Sequence, residues 1–214
     1  MSKFTTLKSK VLPLAAENVD TDQIIPARYL KVTDKAGLGS ALFADWRNNA
    51  DGTPKADFVV NKPEMQGRAI LLAGDNFGCG SSREQAPWAL LDLGIRCIIA
   101  PGFGEIFAAN AISNGLLPVA LPASAWQRVL AEAEAGRSLA VSLVLQSIEL
   151  VNGDTIAFDF DPGARQAMLN GWDDVAMILA RHADAIAGFE AAQRQSQPWL
   201  WEKNGLREKE PQHG

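Results

Sequence analysis

Between residues 74 and 84 the chain reads Gly-Asp-Asn-Phe-Gly-Cys-Gly-Ser-Ser-Arg-Glu, which places three glycines, two serines and an arginine within one short stretch. Glycine lets backbone N–H groups come close to a ligand, and N–H groups at a helix start attract negative charge. Arg83 adds a planar fork of donors that can hold a carboxylate through two bonds, with the hydroxyls of Ser81 and Ser82 beside it. These residue types favour binding of a carboxylate or phosphate. A second reading makes each serine a helix cap, because Ser81 is followed three residues later by Glu84 and Ser82 by Gln85, as in a capping box. Capping leaves the glycines and the arginine without a role. A serine hydrolase fits poorly: its elbow reads Gly-x-Ser-x-Gly, whereas the order here is Gly80-Ser81-Ser82-Arg83. Only His182 and His213 could partner a serine, the second in a polar tail.

The elements that must position this loop follow from patterning. Ala69 to Ala73 is a short apolar run of the kind a strand buried on both faces requires, so the chain leaves a sheet at Gly74. Trp88 to Leu93 is rich in helix formers and Gly94 stands as a stop, with the helix expected to start near Ala86 or Pro87. Cys97 to Ala100 reads as a second buried strand, Glu105 to Ile112 as a helix ending at Asn114-Gly115, and Leu116 to Leu121 as a third strand. Strands alternating with helices imply a parallel sheet. Val11 to Leu14 reads as a short strand, and Ile24-Ile25 precede a turn at Pro26. Thr33 to Pro63 lacks periodicity and is expected to wrap the core with short helices. Trp126 to Ala135 is a further helix. Ser147 to Val151 and Thr155 to Phe158 flank Asn152-Gly153-Asp154, a hairpin signal in which Asn-Gly suits a type I′ turn. In the C-terminal third, Val175, Ile178, Leu179, His182 and Ile186 recur at helical spacing, so His182 is expected to pack as part of that stripe.

Asn76-Phe77-Gly78-Cys79-Gly80-Ser81-Ser82-Arg83-Glu84 resembles the signature of the mobile domain of the aconitase superfamily, and within it the isopropylmalate dehydratase small-subunit family. A second segment, Val19-Asp20-Thr21-Asp22-Gln23-Ile24-Ile25-Pro26-Ala27-Arg28-Tyr29-Leu30, is similar to that family's N-terminal motif. Leu42 to Arg47, Ile99 to Phe107, Asn110 and Asn114 to Val119 extend the likeness, which spans roughly residues 5 to 200. The resemblance implies an α/β fold, namely a three-layer β/β/α swivelling domain with a parallel sheet plus an antiparallel hairpin sheet. It implies one domain over residues 1–201, and the polar residues 202–214 are expected to form a disordered tail.

The activity implied is that of a hydro-lyase subunit in leucine biosynthesis, isomerising 2-isopropylmalate to 3-isopropylmalate through 2-isopropylmaleate. A separate large subunit would hold the 4Fe-4S cluster, in a heterodimer or larger complex, and neither chain would act alone. By motif position, Ser81 would be the base that removes the carbon-bound proton, with Arg83 binding a substrate carboxylate and Ser82 supporting it. Arg28-Tyr29-Leu30-Lys31-Val32 aligns with the specificity loop: Leu30 could pack on an isopropyl group, and Arg28 or Lys31 could contact a carboxylate. One departure stands out, since many relatives have His after Ser-Ser-Arg-Glu and this chain has Gln85. Gln cannot change protonation state near neutral pH, which keeps open a paralogue acting on citramalate, another methylmalate or homoaconitate. The reading from a different class is a non-catalytic anion-binding module, which would tolerate Ser81→Ala.

Composition agrees with an ordinary globular protein: 214 residues, 47% hydrophobic and 21% charged. The net charge of -5 argues against nucleic acid or an acidic membrane as partner. No apolar run approaches a membrane span, and the opening residues lack a signal peptide's apolar core, so the cytoplasm is expected. Cys79 and Cys97 are the only cysteines, without a Cys-x-x-Cys pair, so no metal site is expected in this chain. Cys97 lies in an apolar run and reads as core, whereas Cys79 reads as a loop residue exposed to oxidation.

Overall fold

The structure is a computed structural model that describes residues 1–31 and 35–201. The chain divides into two compact units, residues 1–173 and 174–214. Seven strands in the first unit run in the order β4-β3-β2-β1-β5-β6-β7. β1 is Thr6–Leu14, β2 Ile70–Ala73, β3 Cys97–Ala100, β4 Leu117–Ala120, β5 Ser138–Ser142, β6 Ser147–Glu149 and β7 Thr155–Ala157. Strands β1 to β4 pair in parallel and β1, β5, β6 and β7 pair antiparallel, so β1 belongs to both sheets.

That double membership is written into β1. Thr6 to Lys10 pair with β5, and there exposed Thr6, Lys8 and Lys10 alternate with half-buried Leu7 and Ser9, the pattern of a sheet with one wet face. Val11 to Leu14 pair with β2, and Val11, Leu12 and Leu14 are buried. The strand is therefore longer than Val11 to Leu14, because its polar half hides it from a search for apolar runs. Pro13 falls beyond the reach of β5, where β1 has a neighbour on one side only and a missing N–H is tolerated. Pro118 is likewise on an edge strand, β4.

β2 and β3 are buried throughout, and alternate residues serve two cores. Leu71, Ala73, Ile98 and Ala100 join a cluster with Ile24, Ile25, Leu42, Phe43, Phe77 and Leu90. Ile70, Leu72, Cys97 and Ile99 join the opposite cluster with Trp126, Val129, Leu139, Val141 and Ile148. The first core is covered by helices α1 (Thr21–Ile24), α2 (Ala44–Arg47), α3 (Gln85–Asp92) and α4 (Glu105–Asn114), together with short 3-10 turns at Ala27–Tyr29, Leu38–Ala41, Val59–Asn61 and Pro63–Met65. The second lies between the parallel strands and a layer made of α5 (Ala123–Glu134) and the antiparallel strands, with α6 (Pro162–Asn170) contributing Met168. Helix, sheet and sheet form the three expected layers.

One local expectation is corrected and one alternative reading falls. In the hairpin, Gly153 N–H donates to the Leu150 carbonyl and Leu150 N–H to the Asp154 carbonyl. Gly153 has φ +86°, while Asn152 is not in the left-handed region. The connection is thus a type I turn closed by a left-handed glycine rather than type I′, and Asn152 Oδ1 accepts from Asp154 N–H instead. The serines do not cap α3, which begins at Gln85 with Glu84 before it and no side-chain cap bond.

The second unit consists of α7 (Asp174–Ser196) and a 3-10 turn at Pro198–Leu200, with the Arg194 guanidinium over the Trp201 ring. His182 does not pack in a core: it is exposed, and at φ -127°, ψ 18° it interrupts α7. Val175, Ile178 and Leu179, the stripe it was expected to join, are exposed as well. The expected tail, 202–214, lies outside the described residues.

Candidate active site

The Gly74–Arg83 loop leaves the carboxyl end of β2 and is built as an extension of the sheet. On one side Gly78 N–H donates to the Val19 carbonyl at 2.7 Å, and Thr21 N–H to the Cys79 carbonyl at 2.9 Å. On the other, Phe77 N–H donates to the Gly102 carbonyl and Gly104 N–H to the Phe77 carbonyl. Phe77 is buried against Phe107, edge to face at 5.4 Å. Asn18 and Asn76 both take positive φ and are joined side chain to side chain. Trp126 Nε1 donates to the Ala73 carbonyl at 2.8 Å in a buried position, fixing the point where the loop departs.

Glycine is required at Gly78. Its φ is +77°, and a Cβ there would lie 2.2 Å from Cγ of Phe107. The close approach needed for packing, and not only for a ligand, accounts for this glycine.

Past the clamp the chain opens. Ser81 and Ser82 are exposed, and neither hydroxyl bonds a described residue. The backbone N–H groups of residues 80–85 donate to no described residue either. Ser81 is nonetheless fixed from behind, because the buried Thr21 donates from Oγ1 to its carbonyl at 2.8 Å. A free hydroxyl on a pinned backbone, amid unused N–H donors, is an arrangement able to receive an anionic group.

Arg83 is held differently from expectation. Its Nη1 and Nη2 engage the two carboxylate oxygens of Asp22, and Nη1 also donates to the Ile25 carbonyl at 3.1 Å. The Arg83 side chain is 10% exposed and that of Asp22 57%. Hydrogen bonding from Arg83 holds the Asp22 carboxyl below the usual carboxylate range. Asp22 stands on α1, which is closed at its start by a capping box between Asp20 and Gln23. Asp22 and Thr21 are the site residues that residue-by-residue reading does not single out, although both lie in the Asp-Thr-Asp run; 61 positions separate Asp22 from Arg83, and only the fold brings them together.

The 28–31 segment splits. Leu30 is half-buried against the first core, and Gln85 Nε2 donates to its carbonyl at 3.4 Å, so this loop meets the start of α3. Arg28 turns instead to α2, pairing with Asp45 at 2.5 Å and lying over the Tyr29 ring. The Asp45 carboxylate raises its pKa further above the ordinary arginine value. Lys31 is exposed and forms no ion pair with a described residue. Val32 lies outside the described residues.

Neither thiol offers a metal centre. Cys97 is fully buried and burial pushes its thiol pKa up, while Cys79 is half-buried in the loop. Among the described residues no three His, Cys, Asp or Glu side chains come together as a metal site.

Residues 1–124 match the family described as the aconitase C-terminal domain, and residues 181–201 match the C-terminal domain of the 3-isopropylmalate dehydratase small-subunit family. The chain is 53% identical over 194 residues to the 3-isopropylmalate dehydratase small subunit of Anaeromyxobacter sp. (strain K), a match covering 91% of this chain and 100% of that one. With the protein of the same name from Rhodospirillum centenum it shares 49% over 201 residues, 93% of this chain and 98% of the other. The crystal structure of 3-isopropylmalate dehydratase from Methanocaldococcus jannaschii superposes with a TM-score of 0.63 at 30% identity, covering 86% of this chain and 99% of that one.

Proposed function

The chain belongs to the 3-isopropylmalate dehydratase small-subunit family of the aconitase superfamily, and from that membership we propose how its residues serve the reaction. The activity is that of a hydro-lyase subunit that isomerises 2-isopropylmalate to 3-isopropylmalate through 2-isopropylmaleate in leucine biosynthesis. Its partner is a large subunit, as the small-subunit naming of its relatives implies, and the working unit is a heterodimer or a larger assembly. We assign the 4Fe-4S cluster to that partner, since the two thiols of this chain do not suit one. When bound there, the cluster supplies a Lewis acid for the substrate hydroxyl. No helix among the described residues is long and apolar enough to cross a membrane. We place the enzyme in the cytoplasm as a subunit of a biosynthetic enzyme.

Ser81 takes the carbon-bound proton and returns it to the neighbouring carbon. A serine hydroxyl is a weak base unless its alkoxide is stabilised, and here the unused N–H groups of residues 80–85 and the nearby guanidinium provide that field. Arg83 presents its charge to a substrate carboxylate in an orientation fixed by Asp22 and the Ile25 carbonyl, with Ser82 beside it. Leu30 contacts the isopropyl group. Lys31, exposed and without an ion pair to a described residue, takes the second carboxylate, with Arg28 beside it as the alternative if its exposed pairing with Asp45 opens. Gln85 acts as a neutral donor to the Leu30 carbonyl, a bond a histidine could also make, which favours the isopropylmalate reading over a paralogue.

The observation that carries this proposal is the unpartnered, exposed Ser81 hydroxyl on a backbone pinned by Thr21. Anaerobic co-expression with the large subunit and assay of 2-isopropylmalate turnover tests it. Ser81→Ala should lower kcat about 10²–10⁴-fold with KM little changed. A variant retaining most of its turnover removes Ser81 as the base, and a cluster-loaded wild-type complex without turnover favours the binding-module reading.

A further inference from the structure

Two arginines remote from the Ser81 loop have no carboxylate partner among the described residues. Arg47, at the end of α2, donates from Nε to Asn61 Oδ1 at 3.0 Å and from Nη1 to the Gly39 carbonyl at 3.1 Å. Arg68, just before β2, donates from Nε to the Glu64 carbonyl at 3.1 Å and from Nη1 to the Val11 carbonyl at 2.5 Å. Each keeps Nη2 outside these bonds. Both residues line one cavity of about 240 Å³, whose other walls are Leu12, Val60, Met65, Gln66, Gly67, Leu93 and Ile95, with no acidic side chain among its lining residues.

Carbonyl oxygens satisfy N–H groups but do not neutralise charge. A half-buried cation without a counter-ion is unfavourable, and burial does press the Arg47 pKa downward. Two such cations on one small space leave a positive potential there, with Leu12, Val60, Leu93 and Ile95 as its apolar side. The cavity lies below the roughly 300–1,000 Å³ of drug-sized sites, so it admits a molecule of amino-acid size. We infer that this cavity is a second ligand site, which binds a small branched aliphatic carboxylate with its carboxyl oxygens on Nη2 of Arg47 and Arg68 and its alkyl end on Leu12, Val60 and Leu93.

The site is distinct from that of Ser81. Arg68 precedes β2 and Leu93 and Ile95 precede β3, so the cavity lies at the amino ends of the parallel strands. The Ser81 loop leaves their carboxyl ends, about 13 Å away along β2 at 3.3 Å per residue. α3 joins the two places, beginning beside the loop at Gln85 and delivering Leu93 to the cavity wall.

Titration of the full chain with 4-methylpentanoate, followed calorimetrically and through the guanidinium Nε–H resonances of Arg47 and Arg68, tests the inference. The expected result is saturable binding with Kd of about 1 mM, shifts at both arginines, and at least about tenfold weaker binding of the uncharged 4-methylpentanamide. Arg68→Gln should weaken binding about tenfold or more while Ser81→Ala leaves it unchanged. Should Arg68→Gln fail to fold, Leu93→Phe, which keeps both arginines and fills the space, should abolish binding. No saturation, equal binding of the amide, equal binding of inorganic phosphate, or loss with Ser81→Ala would each overturn it.

Discussion

Replacing Gly78 with alanine tests whether the loop's shape comes from packing. The added methyl carbon would lie 2.2 Å from Cγ and 2.6 Å from Cβ and Cδ1 of Phe107. Comfortable carbon contacts are about 3.5–4.0 Å, so something must move by more than an ångström. Phe107 is 2% exposed and wedged against Phe77, leaving it little room to yield. Overpacking of this kind costs about 1–3 kcal/mol, and an alanine at φ +77° about 1–2 kcal/mol more, giving a loss of about 2–5 kcal/mol. Gly153→Ala is the control: φ is +86° there, but the space beyond is open, so only the backbone term of about 1–2 kcal/mol should appear. Chemical denaturation of both variants gives the packing term by difference. In the complex with the large subunit, Gly78→Ala should also lower kcat/KM by at least about tenfold, because Ser81 is carried on the displaced backbone. Equal stability losses for the two variants would refute the argument, since the glycine would then be needed only for its φ.

Asp22→Asn should lower stability by about 1 kcal/mol, a charged hydrogen bond discounted for the exposure of Asp22, and should lower kcat/KM by releasing Arg83. The carboxyl pKa is depressed in the folded chain, so its contribution is complete above the unfolded value of about 3.9 and is lost as pH falls through the folded value. The stability gap between wild type and variant should therefore be constant from neutral pH down to about 4 and close below it; a gap that widens on acidification sinks the assignment. Trp126→Phe strands the buried Ala73 carbonyl and should cost about 1–3 kcal/mol in denaturant, with a value below about 0.5 kcal/mol showing that the bond does not fix the loop.

Legibility in the sequence follows burial. Ile70–Ala73 and Cys97–Ala100 are buried on both faces and announce themselves as apolar runs. β5 escapes such a search, because only Leu139 and Val141 are buried while Ser138, Ala140 and Ser142 between them are half-exposed and break the apolar run. The Asn-Gly signal locates the hairpin but not its turn, which is decided by an extra residue and by the Asn152 side chain bonding the backbone. The serines illustrate the converse: their spacing satisfies a capping box, but the helix begins after them because residues 77–79 are drawn into pairing with neighbouring segments. Local propensity cannot show that Arg28 prefers Asp45, or that Arg83 takes Asp22, since both pairings are set by tertiary position.

What brings Asp22 to Arg83 is strand register. β1 and β2 are parallel neighbours with Leu14 opposite Ala73, and six residues further along each chain Asp20 is again opposite Cys79. The two segments leave the sheet in step, so the residues just past them, Thr21 and Asp22 on one and Ser81 and Arg83 on the other, must meet. β3 adds the third wall, with Phe103 bridged to Phe77 beyond its own carboxyl end. Three adjacent parallel strands thus carry their pairing past the regular sheet and converge at the place where open α/β sheets bind ligands. Two motifs sixty residues apart in sequence act as one site because each begins at the same distance from a paired strand end, and inserting a single residue between Leu14 and Asp20 should separate Ser81 and Arg83 from their supports while leaving both motifs intact.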